Sequence, residues 1–121
     1  MSFAIDVESN LIRVTLSGVL TEGDLRGIGD AADELEATTP VRPRITDMTG
    51  VTELEVRYAD VQVFATRRRE IKFPNAFKSA IVVSGASQLG IARMFQTLND
   101  NPQITIEIFT EREKALEWVR N

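Results

Sequence analysis

Hydrophobic and polar positions alternate strictly in two short runs at the beginning of the chain. The first run covers residues 3–7 and the second covers residues 12–17, and in both of them every second residue is a large apolar one. A short polar segment, Glu8-Ser9-Asn10, separates the runs. Alternation with a period of two is typical of a strand with one buried face, so the pattern predicts a β-hairpin.

The rest of the chain switches between helical spacing and short apolar runs. Apolar residues recur every three or four positions in a segment of about 22–37, in a second that ends near Ile71, and in two later ones. Between these helices lie a short strand at 45–48, the apolar run Ala80–Val83 and a strand at 104–108. The order ββαβαβαβα predicts a single α/β domain, residues 1–121, whose five-stranded, mixed and mostly parallel sheet is covered by four helices.

Three capping-box patterns predict where helices begin. In such a box a hydroxyl accepts from a backbone N–H three residues later, while an acidic side chain reaches back to the first N–H. The second box is the most specific, because Val51 and Val56 also occupy the two positions of a hydrophobic staple. The three pairs are Thr21 and Asp24, Thr52 and Glu55, and Thr110 and Glu113.

The carboxyl ends of the predicted parallel strands identify a candidate site. Strands that end at Asp47, Ser84 and Phe109 should meet at one edge, where open α/β sheets bind ligands. Helix starts there offer free N–H groups to anions, although hydroxyls and glycines are also common as caps and turn residues. Residues 84–90 lack the lysine of a P-loop and the glycine spacing of a dinucleotide fold, which argues against nucleotides. The default site comprises Asp47, Thr49, Gly50 and a candidate anion site of Ser84, Gly85 and Ser87.

The composition of the chain limits the kinds of binding and catalysis that can be expected. The 121 residues carry a net charge of −4, which disfavours generic binding to nucleic acid or to an anionic membrane. The chain has no cysteine and no histidine, so the commonest metal ligands and the commonest neutral-pH base are absent, and neither a metal site nor a cofactor is predicted. It also shows neither a signal peptide nor a run of about 20 apolar residues, so we expect a cytoplasmic protein without a transmembrane segment.

Basic residues cluster at the end of the second helix. Arg67, Arg68 and Arg69 are followed by Lys72 and Lys78. Cations at a helix C-terminus complement the helix dipole, so a solvated face is the commonest explanation. Alternatively, the cluster meets an anionic partner or the acidic first helix of another subunit, and a symmetric homodimer is one such arrangement.

Bulky apolar side chains gather around the second and third helices. They predict either ordinary core or a cavity under the second helix that accepts an apolar ligand. The candidate pocket residues are Phe64, Phe73, Phe77, Met94 and Phe95.

The chain resembles the SpoIIAA-like members of the STAS superfamily, the anti-sigma-factor antagonist domains. The element order matches along nearly the whole chain, and Asp47–Val51 is similar to the Asp-Leu-Ser-x-Val segment after the family's third strand. The run Ala80–Gly85, followed by an apolar helix, fits as well. In phospho-switched antagonists a phosphorylated hydroxyl lies at the start of the second helix. The matching segment Glu53–Arg57 has no serine or threonine, so the resemblance implies a divergent branch, related to lipid-carrying CRAL-TRIO folds and without the switch.

Three functions follow from these observations. The first is a non-enzymatic regulatory module that binds a protein partner or a second copy of itself. The second is a small carrier of an apolar, lipid-like ligand, and the third, which the missing histidine disfavours, is a carboxylate-based enzyme without an assigned catalytic pair. The candidate interaction face comprises Asp47, Thr49, Gly50, Glu53, Arg57 and Asp60.

Overall fold

Strands and helices follow one another in the predicted order. The computed structural model describes residues 3–8, 10–38 and 40–121, so Ser9 of the predicted hairpin turn and Thr39 of the predicted helix break lie outside the described residues. The elements are β1 Phe3–Val7, β2 Ile12–Thr21, α1 Glu22–Thr38, β3 Arg44–Glu55, α2 Tyr58–Arg69, β4 Phe77–Val82, α3 Ala86–Leu98, β5 Ile104–Phe109 and α4 Arg112–Arg120. Within the described ranges, no helix is both long and apolar enough to span a bilayer.

The five strands form one sheet in the order β1-β2-β3-β4-β5. β1 is antiparallel to β2, as the predicted hairpin requires, and the other neighbours are parallel. The predicted mixed, mostly parallel sheet is therefore confirmed. Asp47 lies beside Val82 and Val82 lies beside Phe109, so β4 and β5 end level with Asp47.

Helices cover both faces of the sheet. Ile81 of β4 belongs to a core shared with α1 and α3, whereas its neighbours Ala80 and Val82 pack against α4. Each of these three β4 side chains is at most 5% exposed. Burial on both faces explains why this part of the sequence is continuously apolar rather than alternating.

The largest correction to the predicted elements concerns β3, which continues to Glu55 instead of ending at Met48. β2 is long enough to pair with this extension, from Gly18 opposite Val51 to Thr21 opposite Glu55. The β-branched residues of the segment favour a strand as well. The capping box of Thr52 and Glu55 is therefore wrong, because strand pairing outweighs the local helix signal.

Gly50 lies in this extension, just past a register shift between β2 and β3. A Cβ atom at this position would come within 2.9 Å of the carbonyl oxygen of Leu16. Glycine is thus required for the two backbones to approach each other here.

Helix α2 begins at Tyr58, six residues beyond the predicted cap. The backbone N–H of Arg57 donates to Asp60 Oδ2 at 2.8 Å, which is the acidic half of a capping box. Val51 is a core residue with 8% exposure, so the predicted staple with Val56 at the helix start is wrong too. α4 begins after Glu111 rather than at a Thr110 cap, and no side chain caps it.

The first capping box is confirmed. Thr21 Oγ1 accepts from the backbone N–H of Asp24 at 3.2 Å, and Asp24 Oδ2 accepts from the N–H of Thr21 at 2.9 Å. The α1 helix starts at the next residue, Glu22.

Candidate functional site

The sheet edge predicted to carry chemistry is organised by a buried carboxylate. Asp47 is 8% exposed, and its Oδ1 accepts from the backbone N–H and from the hydroxyl of Thr49, at 2.9 and 2.6 Å. Its Oδ2 is bound by Arg112, which lies at the start of α4. Burial alone would raise the pKa of Asp47, but the bonds from Thr49 and the charge of Arg112 outweigh it and lower the pKa. Asp47 is thus an ionised carboxylate that links β3 to α4. Thr49 and Gly50 beside it are exposed.

The candidate anion site at the start of α3 is partly occupied by the protein itself. Gln88 Oε1 accepts from the backbone N–H of Ser84 at 2.8 Å, and Gln88 Nε2 donates to the carbonyl of Val51 at 2.9 Å. Ser84, Gly85 and Ser87 are exposed, and Gly85 is the N-cap residue at a φ of 85°. Sequence inspection missed Gln88, which is 7% exposed and joins this loop to the β3 extension.

Replacing Gln88 by leucine is expected to lower the free energy of unfolding by about 1–3 kcal/mol, because the carbonyl of Val51 is left buried without a donor. Urea unfolding measures the change. Gln62→Leu, the same substitution on an exposed face of α2, is the control and should shift stability by no more than about 0.5 kcal/mol. Equal effects of the two substitutions would contradict the bridging role.

The remaining candidate interaction residues surround the start of α2. Glu53 and Arg57 are exposed, whereas Asp60 is half-buried and holds the N–H of Arg57. Beside them, α2 turns Tyr58 and Val63 outward, with 55% and 70% exposure. These are two of the few large hydrophobic side chains that the described residues leave exposed.

The predicted basic cluster is not one solvated face, because α1 of the same chain binds two of its five members, Arg67 and Arg68. Arg67 binds Asp30 and Asp33 through a single nitrogen, at 2.8 and 2.6 Å. A Cβ atom at Gly29 would lie 2.9 Å from the guanidinium of Arg67, so a larger residue at this position would displace the guanidinium. Arg69 remains exposed. Acidic residues spaced three apart on α1 were the sequence signal that could have predicted this contact.

Arg68 belongs to a buried charge cluster with Glu36 of α1 and Arg44 of β3. Arg68 binds both carboxylate oxygens of Glu36, at 2.8 and 2.7 Å, and Arg44 binds Glu36 Oε2 at 2.7 Å. The side chains of Arg68 and Glu36 are only 2% and 5% exposed. Burial by itself raises the pKa of Glu36, but the two arginines outweigh burial and hold the pKa below its ordinary value.

An apolar cavity of about 100 Å³ lies between α1, α2, α3 and the sheet. Phe64 and Phe95 line it with their ring centroids 5.3 Å apart, and Phe77 also contributes. The cluster arginines Arg44 and Arg68 line it as well.

Two of the predicted pocket residues lie elsewhere. The ring of Phe73 packs edge-on against that of Phe77, with the centroids 5.0 Å apart, in a separate small core with Val41. The side-chain amide of Gln103 forms hydrogen bonds with both the backbone N–H and the backbone carbonyl of Phe73. Met94, half-buried on α3, is also outside the cavity lining. Helical spacing cannot distinguish these positions, because it identifies a buried face but not what that face packs against.

Comparison with known proteins identifies the architecture. A solved structure from Shewanella loihica, described as an uncharacterized protein of the DUF3478 family with a SpoIIAA-like fold, has a TM-score of 0.61 at 19% identity and covers 97% of this chain and 91% of its own. The fold is SpoIIAA-like. A second solved structure, described as an anti-sigma factor antagonist from Mycobacterium paratuberculosis, has a TM-score of 0.65 at 14% identity and covers 98% of this chain and 93% of its own. No protein-family model and no curated protein matches the sequence.

The SpoIIAA-like fold predicted from the element order is thereby confirmed. The two neighbours share less than a fifth of their residues with this chain, so the likeness concerns architecture. The function has to be argued from the side chains of this chain.

Proposed function

We propose that the chain is a regulatory protein-interaction module whose binding surface is the exposed end of β3 together with the outer face of α2. The observation that carries the proposal is the exposure of Tyr58 and Val63 on that helix, at 55% and 70%. Exposed aromatic and aliphatic side chains beside charged ones are typical of partner-binding surfaces. The similarity to an anti-sigma factor antagonist supports the proposal and makes an anti-sigma factor the first class of partner to test.

Charges next to the apolar pair supply specificity in this proposal. Glu53 and Arg57 are exposed and form no ion pair with another described residue, so either can contact a partner. Asp60 acts indirectly, because its carboxylate orders the first turn of α2. The proposal assigns no catalytic step, since the perturbed carboxylates Asp47 and Glu36 are both held ionised by arginines.

Site-specific crosslinking tests this surface. A photo-crosslinking residue at Gln62, between Tyr58 and Val63, should form an adduct with one defined protein in the native cell, whereas one at Glu117 on α4 should not. Val63→Asp should abolish the Gln62 adduct, because burying a new carboxylate in the interface is costly. Glu53→Lys and Arg57→Glu should weaken it.

Adducts that form equally at both positions, or that survive Val63→Asp, would contradict the proposed surface. An adduct between two copies of the chain would instead identify the partner as a second copy, and sedimentation would then show a dimer. Circular dichroism of each variant provides the control for folding.

We propose carriage of a small apolar ligand as a second function, supported by the cavity between the helices and the sheet. Phe64, Phe77 and Phe95 would contact such a ligand. Native mass spectrometry of the purified protein, followed by extraction, should reveal a bound small molecule. Protein that carries none, and that binds no small apolar compound when titrated, would contradict this function.

A further inference from the structure

One end of the cavity carries polar groups that lack partners. Arg44 Nε and Asn99 Oδ1 are buried without a hydrogen bond to any described residue, and both residues line the cavity. Asn99 is 5% exposed and the side chain of Arg44 is 12% exposed. Protein interiors leave few such atoms unpaired, because each unpaired atom is costly. The unpaired N–H at Arg44 Nε therefore marks a place where an acceptor group from outside the described chain can bind.

Arg44 is the least compensated charge at this end. Among the described residues its only counter-charge is Glu36, which Arg68 binds as well. Asp33 lies 3.6 Å from Arg68 and, together with Asp30, binds Arg67, so these two carboxylates compensate the arginines of α2 rather than Arg44. Burial, and then the charge of Arg68, lower the pKa of Arg44 in spite of Glu36. An anion bound at Arg44 would give this arginine a counter-charge that it does not share with Arg68, and an undercompensated buried charge is unfavourable.

The remainder of the cavity is apolar and small. A cavity of about 150 Å³ holds benzene, so about 100 Å³ leaves room for an apolar group of about four carbon atoms. The side chains around this part come from all three helices of the layer. They include Leu25, Ile28, Val61, Phe64, Ile91 and Phe95.

We propose that this cavity binds a short aliphatic carboxylate of about four to six carbon atoms, with its carboxylate at Arg44 and its tail against the rings of Phe64 and Phe95. The proposal rests on the second proposed function, ligand carriage, and gives the ligand its chemical class. A planar carboxylate suits the fork of N–H donors on a guanidinium. The hydroxyl of Ser79, next to Arg44 in the sheet, provides a further donor on the same cavity wall.

Water alone is a poorer occupant of this end. Ordered water molecules can satisfy an N–H group and a carbonyl in a polar cavity. They cannot give Arg44 a counter-charge of its own, and the tail region offers them no hydrogen-bond partners. An anion with an apolar tail matches both ends.

Titration of the unaltered protein with pentanoate and with its uncharged analogue pentanamide tests the proposal at neutral pH. The isoleucine methyl resonances of Ile28 and Ile91 report on the cavity, and that of Ile45, in the core on the α4 side, is the internal control. Pentanoate should bind about 10- to 100-fold more tightly than pentanamide, because a hydrogen bond to a charged group is the stronger one. Only the cavity resonances should shift.

Substitutions locate the charged end. Arg44→Met keeps an unbranched apolar stem without the guanidinium and should abolish the preference for pentanoate, whereas Arg69→Met removes an exposed arginine from the end of α2 and should preserve it. Ser79→Ala tests the same end without removing a buried charge, and should weaken pentanoate by about two- to tenfold. Its effect can be read even if Arg44→Met fails to fold.

The outcomes separate this inference from the function on which it rests. If pentanamide binds as tightly as pentanoate at the cavity, the charged end is unused and the inference is overturned, while ligand carriage stands. If neither compound shifts Ile28 and Ile91, both the inference and the carrier function are overturned. Binding of pentanoate that shifts only residues outside the cavity would also overturn the inference.

Discussion

Replacing Glu36 by glutamine is expected to lower the free energy of unfolding by about 3–5 kcal/mol at neutral pH, because two buried arginines lose their shared counter-charge. The carboxylate makes three hydrogen bonds of 2.7–2.8 Å to Arg44 and Arg68 and is 5% exposed. Urea unfolding at neutral pH measures the loss as a shift of the midpoint. Glu70→Gln is the control, since Glu70 pairs only at the surface with Arg69, at 3.5 Å, and such pairs contribute little.

The same cluster predicts a pH dependence. The pKa of Glu36 is lower in the folded protein than its ordinary value of 4.5, so the unfolded chain binds the proton more readily. Its stabilising contribution is therefore complete above about pH 4.5 and is lost as the pH falls through the lower, folded pKa. The difference between the unaltered protein and Glu36→Gln should shrink over that acidic range. A difference that stays constant down to the lowest pH at which the protein folds would contradict the role of this carboxylate.

Element order could be predicted from the sequence because hydrophobic periodicity reports burial directly. The apolar run Ala80–Val83 predicted a strand that is covered on both faces. The pair Thr21 and Asp24 predicted the start of α1. The boundary between β3 and α2 could not be predicted in this way, because residues 51–55 satisfy a helix-start pattern locally. The length of β2, which offers the segment a pairing partner as far as Glu55, decides in favour of the strand.

Helical spacing indicated some of the apolar side chains around the cavity but not the charged residues at its end. Phe64, Phe77 and Phe95 do line a cavity under α2. The charged residues at its end were missed, because Arg44 follows a proline-containing connection and Arg68 lies within three consecutive arginines, where a solvated position is the default expectation. Arg68 and Glu36 are 32 residues apart in the sequence, so no local sequence pattern predicts that they pair.

Helix α2 carries apolar residues both on its buried side and on its outer side, and the two sets have different roles. Val61, Ala65 and Arg68 are buried toward the sheet, whereas Tyr58 and Val63 point outward. A helix that only covers a core would be polar on its outer side. The outward apolar residues are therefore unexplained by folding, which is why the interaction surface is assigned to them.

Replacing Phe73 by alanine is expected to lower the free energy of unfolding by about 3–5 kcal/mol, the usual cost of removing a buried aromatic ring. The ring is 6% exposed and contacts Phe77 edge-on, with the guanidinium of Arg68 5.5 Å from its centre. Chemical denaturation measures the loss. The structure assigns Phe73 to the small core under the α2–β4 connection, so the Ile91 methyl resonance should still respond to pentanoate in this variant.

Phe95→Ala provides the contrast, because Phe95 lines the cavity and is only half-buried. This variant should lose less stability than Phe73→Ala but should bind pentanoate and pentanamide more weakly, since both compounds share the apolar tail that the ring contacts. If Phe73→Ala instead weakened both compounds and Phe95→Ala weakened neither, the ligand would lie nearer the small core around Phe73. The cavity assigned to the ligand would then be wrong, and the aromatic cluster that includes Phe73 would be the binding region.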